Sequence, residues 1–174
     1  VTIVRRVIYS VAASLDGYIA GPGGEYDWIP DEQTIDWKAF MARFDTILVG
    51  RLTWEVVARD EGGVTMPAYV FSRTLEKIDH PRATLVSGDP RPVVDRLRAE
   101  PGRDLWLMGG GVLFREFLER DLVDVVEVAV VPILLGHGIP TLPHMPRSTG
   151  LTVTNTTTYP SGIILLTYDV VRDG

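Results

Sequence analysis

The 174-residue sequence contains no cysteine, which excludes disulfide bridges, a thiolate zinc site and a cysteine nucleophile. No run of about 18 apolar residues occurs, so no transmembrane helix is expected. The 17 basic residues are outnumbered by 23 acidic ones and are scattered; a net charge of -6 leaves no surface suited to a nucleic-acid backbone. Histidine is scarce as well. His80, His137 and His144 stand in Pro or Gly contexts without metal-ligand spacing, so no metal is expected. There is no internal repeat and no low-complexity linker. The segment VTIVRRVIYSVAAS carries two arginines, but its apolar residues alternate and are followed by Asp16 and Gly17 rather than a cleavage site. It reads as a first strand, not a signal peptide. A chain without cysteine is expected in the cytoplasm.

What remains is an ordinary globular composition, 45% hydrophobic and 23% charged. A chain of this length can withdraw roughly 70% of its unfolded surface from water. One domain over residues 1–174 is expected. Val7 to Ala13 reads as a strand, and Gly21 to Pro30, rich in Gly and Pro, as a long loop. Asp31 to Phe44 has helical spacing of Ile35, Phe40 and Phe44, with acids in its first turn. Short strands are predicted at Thr46 to Val49, Ala68 to Ser72, Ala83 to Ser87 and Leu105 to Met108. Helices are predicted at Pro92 to Glu100, which has proline in its first turn, and Gly111 to Arg120. The latter places Leu113, Phe114, Phe117 and Leu118 on one face. Val123 to Pro132 and Gly162 to Val171 read as long antiparallel strands. Alternating strands and helices predict an α/β fold, a mixed and mostly parallel sheet with helices on both faces.

Three strand ends carry residues suited to chemistry, and in open α/β sheets such ends share one crevice. In ILVGRLTWE, Gly50 permits close approach, Arg51 can pair with phosphate, and Thr53 can cap a helix or donate to phosphate. A capped helix beside a solvated arginine accounts for the same residues. In VFSRT, Ser72 and Arg73 follow Phe71; a hydroxyl beside a guanidinium suits a ribose phosphate, and equally a polar turn. In LWLMGGGVLFREFL, three glycines separate a strand from an amphipathic helix, so a ligand can reach backbone N–H groups without meeting a Cβ. The pattern is not GxGxxG, since Phe114 stands at its last position, and it lacks the lysine of a P-loop. Asp16, before Gly17, and Asp36, one turn before Phe40, are the candidate acids. A turn pair explains the first, and a solvated helix face the second.

In this order, SLDGYIAG, DWI, ILVGRLTWE, VFSRT, LWLMGGGVLFREFL, LVD and PILLGHGIPTL resemble the dihydrofolate reductase-like superfamily. The nearest likeness is to the reductase domain of the bacterial riboflavin-biosynthesis deaminase/reductase. It spans about Val7 to Val171, and PILLGHG is its most specific mark. The resemblance implies a three-layer fold around about eight strands, NADPH as cofactor, and hydride transfer to a C=N carbon of a pterin-like or ribosylaminopyrimidine substrate. By position it implies cofactor phosphates at Gly50, Arg51 and Thr53, and the 2′-phosphate at Ser72 and Arg73 beside Phe71. Gly110, Gly111, Val112 and Leu113, with Met108 and Gly109 leading in, would cradle the pyrophosphate and nicotinamide. Ala12 and Ile19 would pack near the nicotinamide. It also implies a cis peptide between Gly109 and Gly110, and a homodimer. The fused deaminase, whose zinc site needs cysteine, is absent, so the chain resembles the stand-alone relatives. Met108 stands where riboflavin reductases commonly carry glutamate, and GRLTWE is closer to dihydrofolate reductase. Asp16 belongs to the riboflavin pattern and Asp36 to the folate one. Dihydrofolate reduction and non-catalytic NADPH binding are the alternatives, with reduction of carbonyl or nitro compounds a third.

Overall fold

Runs of Val, Ile and Leu buried on both sides make the central strands of the sheet, because a strand between two helical layers has no water-facing side. A computed structural model describes residues 4–59 and 64–172. Its elements are β1 (Val7–Ser14), β2 (Tyr18–Ala20), α1 (Trp37–Ala42), β3 (Phe44–Gly50), α2 (Arg51–Val57), β4 (Ala68–Phe71) and β5 (Ala83–Val86). They continue with α3 (Arg91–Ala99), β6 (Asp104–Met108), α4 (Gly111–Glu119), β7 (Val125–Val131), β8 (Ile139–Pro140), β9 (Leu151–Thr158) and β10 (Ile164–Val170). The eight-stranded sheet runs β5-β4-β3-β6-β1-β7-β10-β9. It is parallel from β5 to β7 and antiparallel where β10 meets β7 and β9. β2 and β8 pair as a separate antiparallel ribbon.

Alternation along each strand sends side chains to two layers. Val7 and Tyr9, Leu105 and Leu107, and Leu48 face α3 and α4, where they meet Val94, Leu97, Leu113, Phe114, Phe117 and Leu118. Tyr9 stacks on Phe114 with ring centroids 3.6 Å apart, and Phe71 meets Phe117 edge to face at 5.4 Å. Ile47, Val49 and Val70 face the other way, onto Trp54 of α2, while Ile8 and Val125 pack with Phe44 and Phe40 near α1. The buried Glu127 of β7 lies on this second side, where Arg43 grips both its oxygens at 2.6 and 3.1 Å. At the opposite end of the strands from the glycines, buried Arg5 pairs with Asp45 and donates to Thr46 at 2.9 Å.

The predicted helix over Asp31 to Phe44 shrinks to Trp37–Ala42. Glu32 accounts for the lost turn: its carboxylate accepts from Thr34 N at 3.0 Å, the Thr34 hydroxyl at 2.6 Å and Ser161 N at 3.0 Å. Local side-chain bonds of this kind compete with the helical ladder. Hydrogen bonds from Ser161 and Thr34 hold the Glu32 carboxyl at about 2. At the far end, Phe44 leaves the helix to begin β3. The remaining predicted elements stand within about two residues of their positions, and β2, α2, β8 and β9 are additions. Among the described residues no helix is long and apolar enough to cross a membrane.

Phe117 is fully buried at the centre of the α4 layer. Truncating it to alanine should lower the unfolding free energy by about 3–5 kcal/mol, measured as a drop in urea midpoint at unchanged slope.

Candidate functional site

Gly50 ends β3 and caps α2, while Gly110 follows β6 and caps α4; no side chain caps either helix. The first N–H groups of α4 are therefore presented at the carboxyl edge of the sheet, where an anion is favoured. The two helix starts meet. A Cβ built on Gly50 would lie 3.9 Å from Cβ of Leu113, and Thr53 stands across the glycine turn, 3.1 Å from a Cβ on Gly109 and 3.7 Å from one on Gly110. Gly109 and Gly110 have φ of +57° and +75°, so two left-handed residues reverse the chain, and the bond between them is trans, not the expected cis. Leu52 and Val112, second in their helices, are 65% and 64% exposed. Apolar side chains thus flank the donors, as a site for a large, partly apolar anion requires.

The third glycine serves a different purpose. Gly111 is buried, and a Cβ there would lie 2.6 Å from the Pro140 carbonyl oxygen and 2.8 Å from that of Thr141. Its missing side chain admits the returning backbone. Thr141 in turn donates through N and Oγ1 to the Gly17 carbonyl at 2.9 and 3.0 Å.

The other expected residues divide by location. Ser72 Oγ accepts from Thr74 N and Leu75 N at 3.2 and 3.0 Å, closing the turn that presents Arg73. Arg73 is exposed and donates to Glu116 Oε1 of α4 at 2.9 Å. Arg51 pairs with Glu55 at 2.8 Å. Phe71 is a core side chain, leaving its backbone at the site, and Met108 packs with the Trp54 cluster. Ala12 and Ile19 are half-buried on β1 and β2.

Neither aspartate accepts a hydrogen bond from the glycine turn. Asp16 accepts from the Ser14 hydroxyl at 2.6 Å, Leu135 N at 3.1 Å and Gly136 N at 2.7 Å, tying SLDG to the LLGHG loop. The Ser14 hydroxyl, then the Gly136 and Leu135 N–H groups, hold its carboxyl below the usual range. This clamp exists above the ordinary carboxylate pKa and loosens as pH falls through the lowered one. Gly138 completes the arch: a Cβ there would lie 2.3 Å from the Ala20 carbonyl oxygen. Asp36 is not inside a long helix, as its spacing implied; it caps α1, accepting from Ala39 N at 2.8 Å, and is exposed. Beside it Trp37 is exposed too. Sequence reasoning missed Glu116, Glu32 and Glu127. An acid within the apolar run VVEVAVV was a signal for the last, whereas the partners of the other two lie 43 and 129 residues away.

Comparison with known proteins agrees with this architecture. A family model described as the RibD C-terminal domain matches residues 5–165. Uncharacterized protein YyaP of Bacillus subtilis (strain 168) is 32% identical over 178 residues, 94% of this chain and 94% of its own length. A candidate riboflavin biosynthesis protein from Shewanella sp. PV-4 superposes with a TM-score of 0.84 at 29% identity, over 96% of this chain and 99% of that one. A pyrimidine reductase-like protein from Corynebacterium diphtheriae shares the fold at a TM-score of 0.77 and 16% identity, covering 97% of this chain and 93% of that one. The diaminohydroxyphosphoribosylaminopyrimidine deaminase/5-amino-6-(5-phosphoribosylamino)uracil reductase of Thermotoga maritima shares it at 0.71 and 19%, this chain matching over 97% of its length and 57% of that protein's.

The glycines should separate in mutagenesis. Gly111→Ala should cost about 1–3 kcal/mol of stability, since its Cβ meets backbone that cannot yield. Gly50→Ala, at an ordinary extended φ and with its Cβ at van der Waals distance from Leu113, should stay within about 1 kcal/mol of wild type. Urea midpoints of the two variants check this.

Proposed function

The chain belongs to the RibD C-terminal domain family, a dihydrofolate reductase-like reductase domain, and from this we propose that it reduces a C=N bond with NADPH. The carrying observation is the junction of Gly50, Thr53, Gly109, Gly110 and Leu113, with the uncapped start of α4 and exposed Leu52 and Val112 around it. These residues fit a dinucleotide: N–H donors for a pyrophosphate, a Cβ-free approach, and apolar side chains for flat rings. Gly110, Gly111, Val112 and Leu113 would hold the pyrophosphate through backbone, Thr53 and Arg51 would add phosphate contacts, and Ser72 and Arg73 would take the 2′-phosphate. Ala12 and Ile19 would border the nicotinamide. When bound, the dinucleotide supplies a hydride and is left oxidised.

The substrate we propose is a ribosylaminopyrimidine of the 5-amino-6-(5-phosphoribosylamino)uracil type. The ribose ring opens first, the bond from its anomeric carbon to the ring oxygen breaking as the proton of the attached nitrogen passes to that oxygen; the resulting imine carbon accepts the hydride, the C=N bond becomes a C–N single bond, and the nitrogen takes a proton originating in solvent. Asp16, whose carboxyl the Ser14 hydroxyl and the Gly136 and Leu135 N–H groups hold below the usual range, acts as a positioning residue that fixes the LLGHG loop beside the site. Asp36, exposed beside Trp37, is the carboxylate we assign to substrate orientation. Dihydrofolate is the second reading, favoured by the placement of Asp36 one turn before Phe40 at the start of α1. The reaction draws on the cytoplasmic NADPH pool, within one domain.

A homodimer is part of the proposal. Leu151, Val153 and Ile164 expose an apolar face on β9 and β10, beside half-buried Leu166 and Tyr168. Sedimentation should give twice the chain mass, and Val153→Glu should halve it; a wild-type monomer refutes the pairing.

NADPH oxidation should be clearly faster with the ribosylaminopyrimidine than with dihydrofolate, followed at the nicotinamide absorbance. Asp36→Asn should lower kcat with unchanged melting, and Asp16→Asn should lower both activity and thermal stability. NADPH binding without turnover of either substrate would leave a non-catalytic binder. Turnover intact in Asp36→Asn and lost in Asp16→Asn would remove the folate reading and the assignment of Asp36 to substrate orientation.

A further inference from the structure

Four charges alternate along the edge formed by β4, β5 and α4. Arg73 pairs with Glu116 at 2.9 Å, Glu116 with Arg120 at 3.2 Å, and Arg120 with Asp89 at 3.3 Å. Both guanidinium groups meet the same oxygen, Oε1 of Glu116. They are held very differently. Arg120 also donates to the Glu116 carbonyl at 3.1 Å, and its own carbonyl accepts from Arg91. Arg73 is 75% exposed and its side chain makes this one hydrogen bond among the described residues, whereas the Glu116 side chain is only 20% exposed. An incoming anion can therefore draw Arg73 away at little packing cost, and Glu116 keeps a cationic partner when it does.

We propose that Glu116 is a specificity-determining residue that sets how tightly Arg73 grips a phosphomonoester on the ribose of an adenine nucleotide. Its carboxylate acts through Arg73, competing with the phosphate for one guanidinium. The Glu116–Arg120 pair anchors that competitor, so Arg73 discriminates between nucleotides with and without the 2′-phosphate less strongly than a lone arginine would. The inference rests on the NADPH reading, and it adds a residue of α4 to the recognition made by the β4 turn. The shared oxygen also keeps Arg73 extended toward α4 before the ligand arrives.

Calorimetric titration with adenosine 2′,5′-bisphosphate and with 5′-AMP tests it without turnover. Glu116→Gln should tighten the bisphosphate by about two- to fivefold, the range of an exposed ion pair, and leave 5′-AMP unchanged. Arg73→Ala should weaken the bisphosphate by about tenfold or more, and Arg73→Ala/Glu116→Gln should match Arg73→Ala. Melting curves identify any variant that fails to fold, and Glu116→Ala then takes the place of Glu116→Gln. If Glu116→Gln leaves bisphosphate affinity unchanged or lowers it while Arg73→Ala still costs tenfold, the proposal is wrong and the 2′-phosphate reading stands. If Arg73→Ala changes nothing, the reading itself fails and takes the proposal with it.

Discussion

The structure depends on a place where two backbones touch. Gly111 opens α4 with no side chain, and the carbonyls of Pro140 and Thr141 occupy the volume a Cβ would need. Because they can come so close, the segment after β7 folds back across the carboxyl edge of the sheet. It then hydrogen-bonds to Gly17 through Thr141, pairs β8 with β2, and lets Asp16 reach Leu135 and Gly136. Tyr9, stacked on Phe114 one turn further along α4, directs its hydroxyl to the Thr141 carbonyl at 3.4 Å. One glycine thereby couples β1, α4 and the loop after β7. Its two neighbours are spared that work, and their positive φ angles turn the chain toward Thr53 and the start of α2.

Two loops are held here by carboxylates gripping backbone N–H groups. Asp16 fastens the LLGHG loop and Glu32 fastens the turn between β9 and β10 through Ser161. Charge-assisted hydrogen bonds of this type are short and directional, so they fix a backbone where packing cannot. They also favour the ionised acid, which is why both carboxyl groups titrate low. A carboxylate stabilised as an anion is a poor proton donor at neutral pH, and for that reason the proposed reading gives Asp16 the part of a support.

Local pattern was enough to place the parallel strands and α4, because aliphatic runs and the spacing of Leu113, Phe114, Phe117 and Leu118 are properties of neighbouring residues. The helix over Asp31 to Phe44 failed for the opposite reason: Glu32 makes a bond to Ser161, which no local window contains. β9 escaped because LTVTNTTT is exposed on nearly every residue and only Leu151 and Val153 are apolar; its threonines were the available signal. At the site, the convergence of Gly50 and Thr53 with the glycine turn was legible through the rule that strand ends share a crevice. The separate duty of Gly111 was not, since it is defined by a carbonyl 29 residues away.

Under the proposed reading, this difference in range explains why the side given to the cofactor is easier to infer than the side given to the substrate. Donors from backbone at a glycine turn are set by a few adjacent residues, and any chain that makes the turn presents them. The opposite side is assembled from Asp36 and Trp37 on α1, a loop fixed by Glu32, and strands whose partners are remote in sequence. Asp36 caps its helix whether or not it meets a ligand, so its position follows from helix formation alone. Substrate choice then rests on what α1 and the loop before it place opposite that carboxylate, a property of assembled geometry that no single motif encodes.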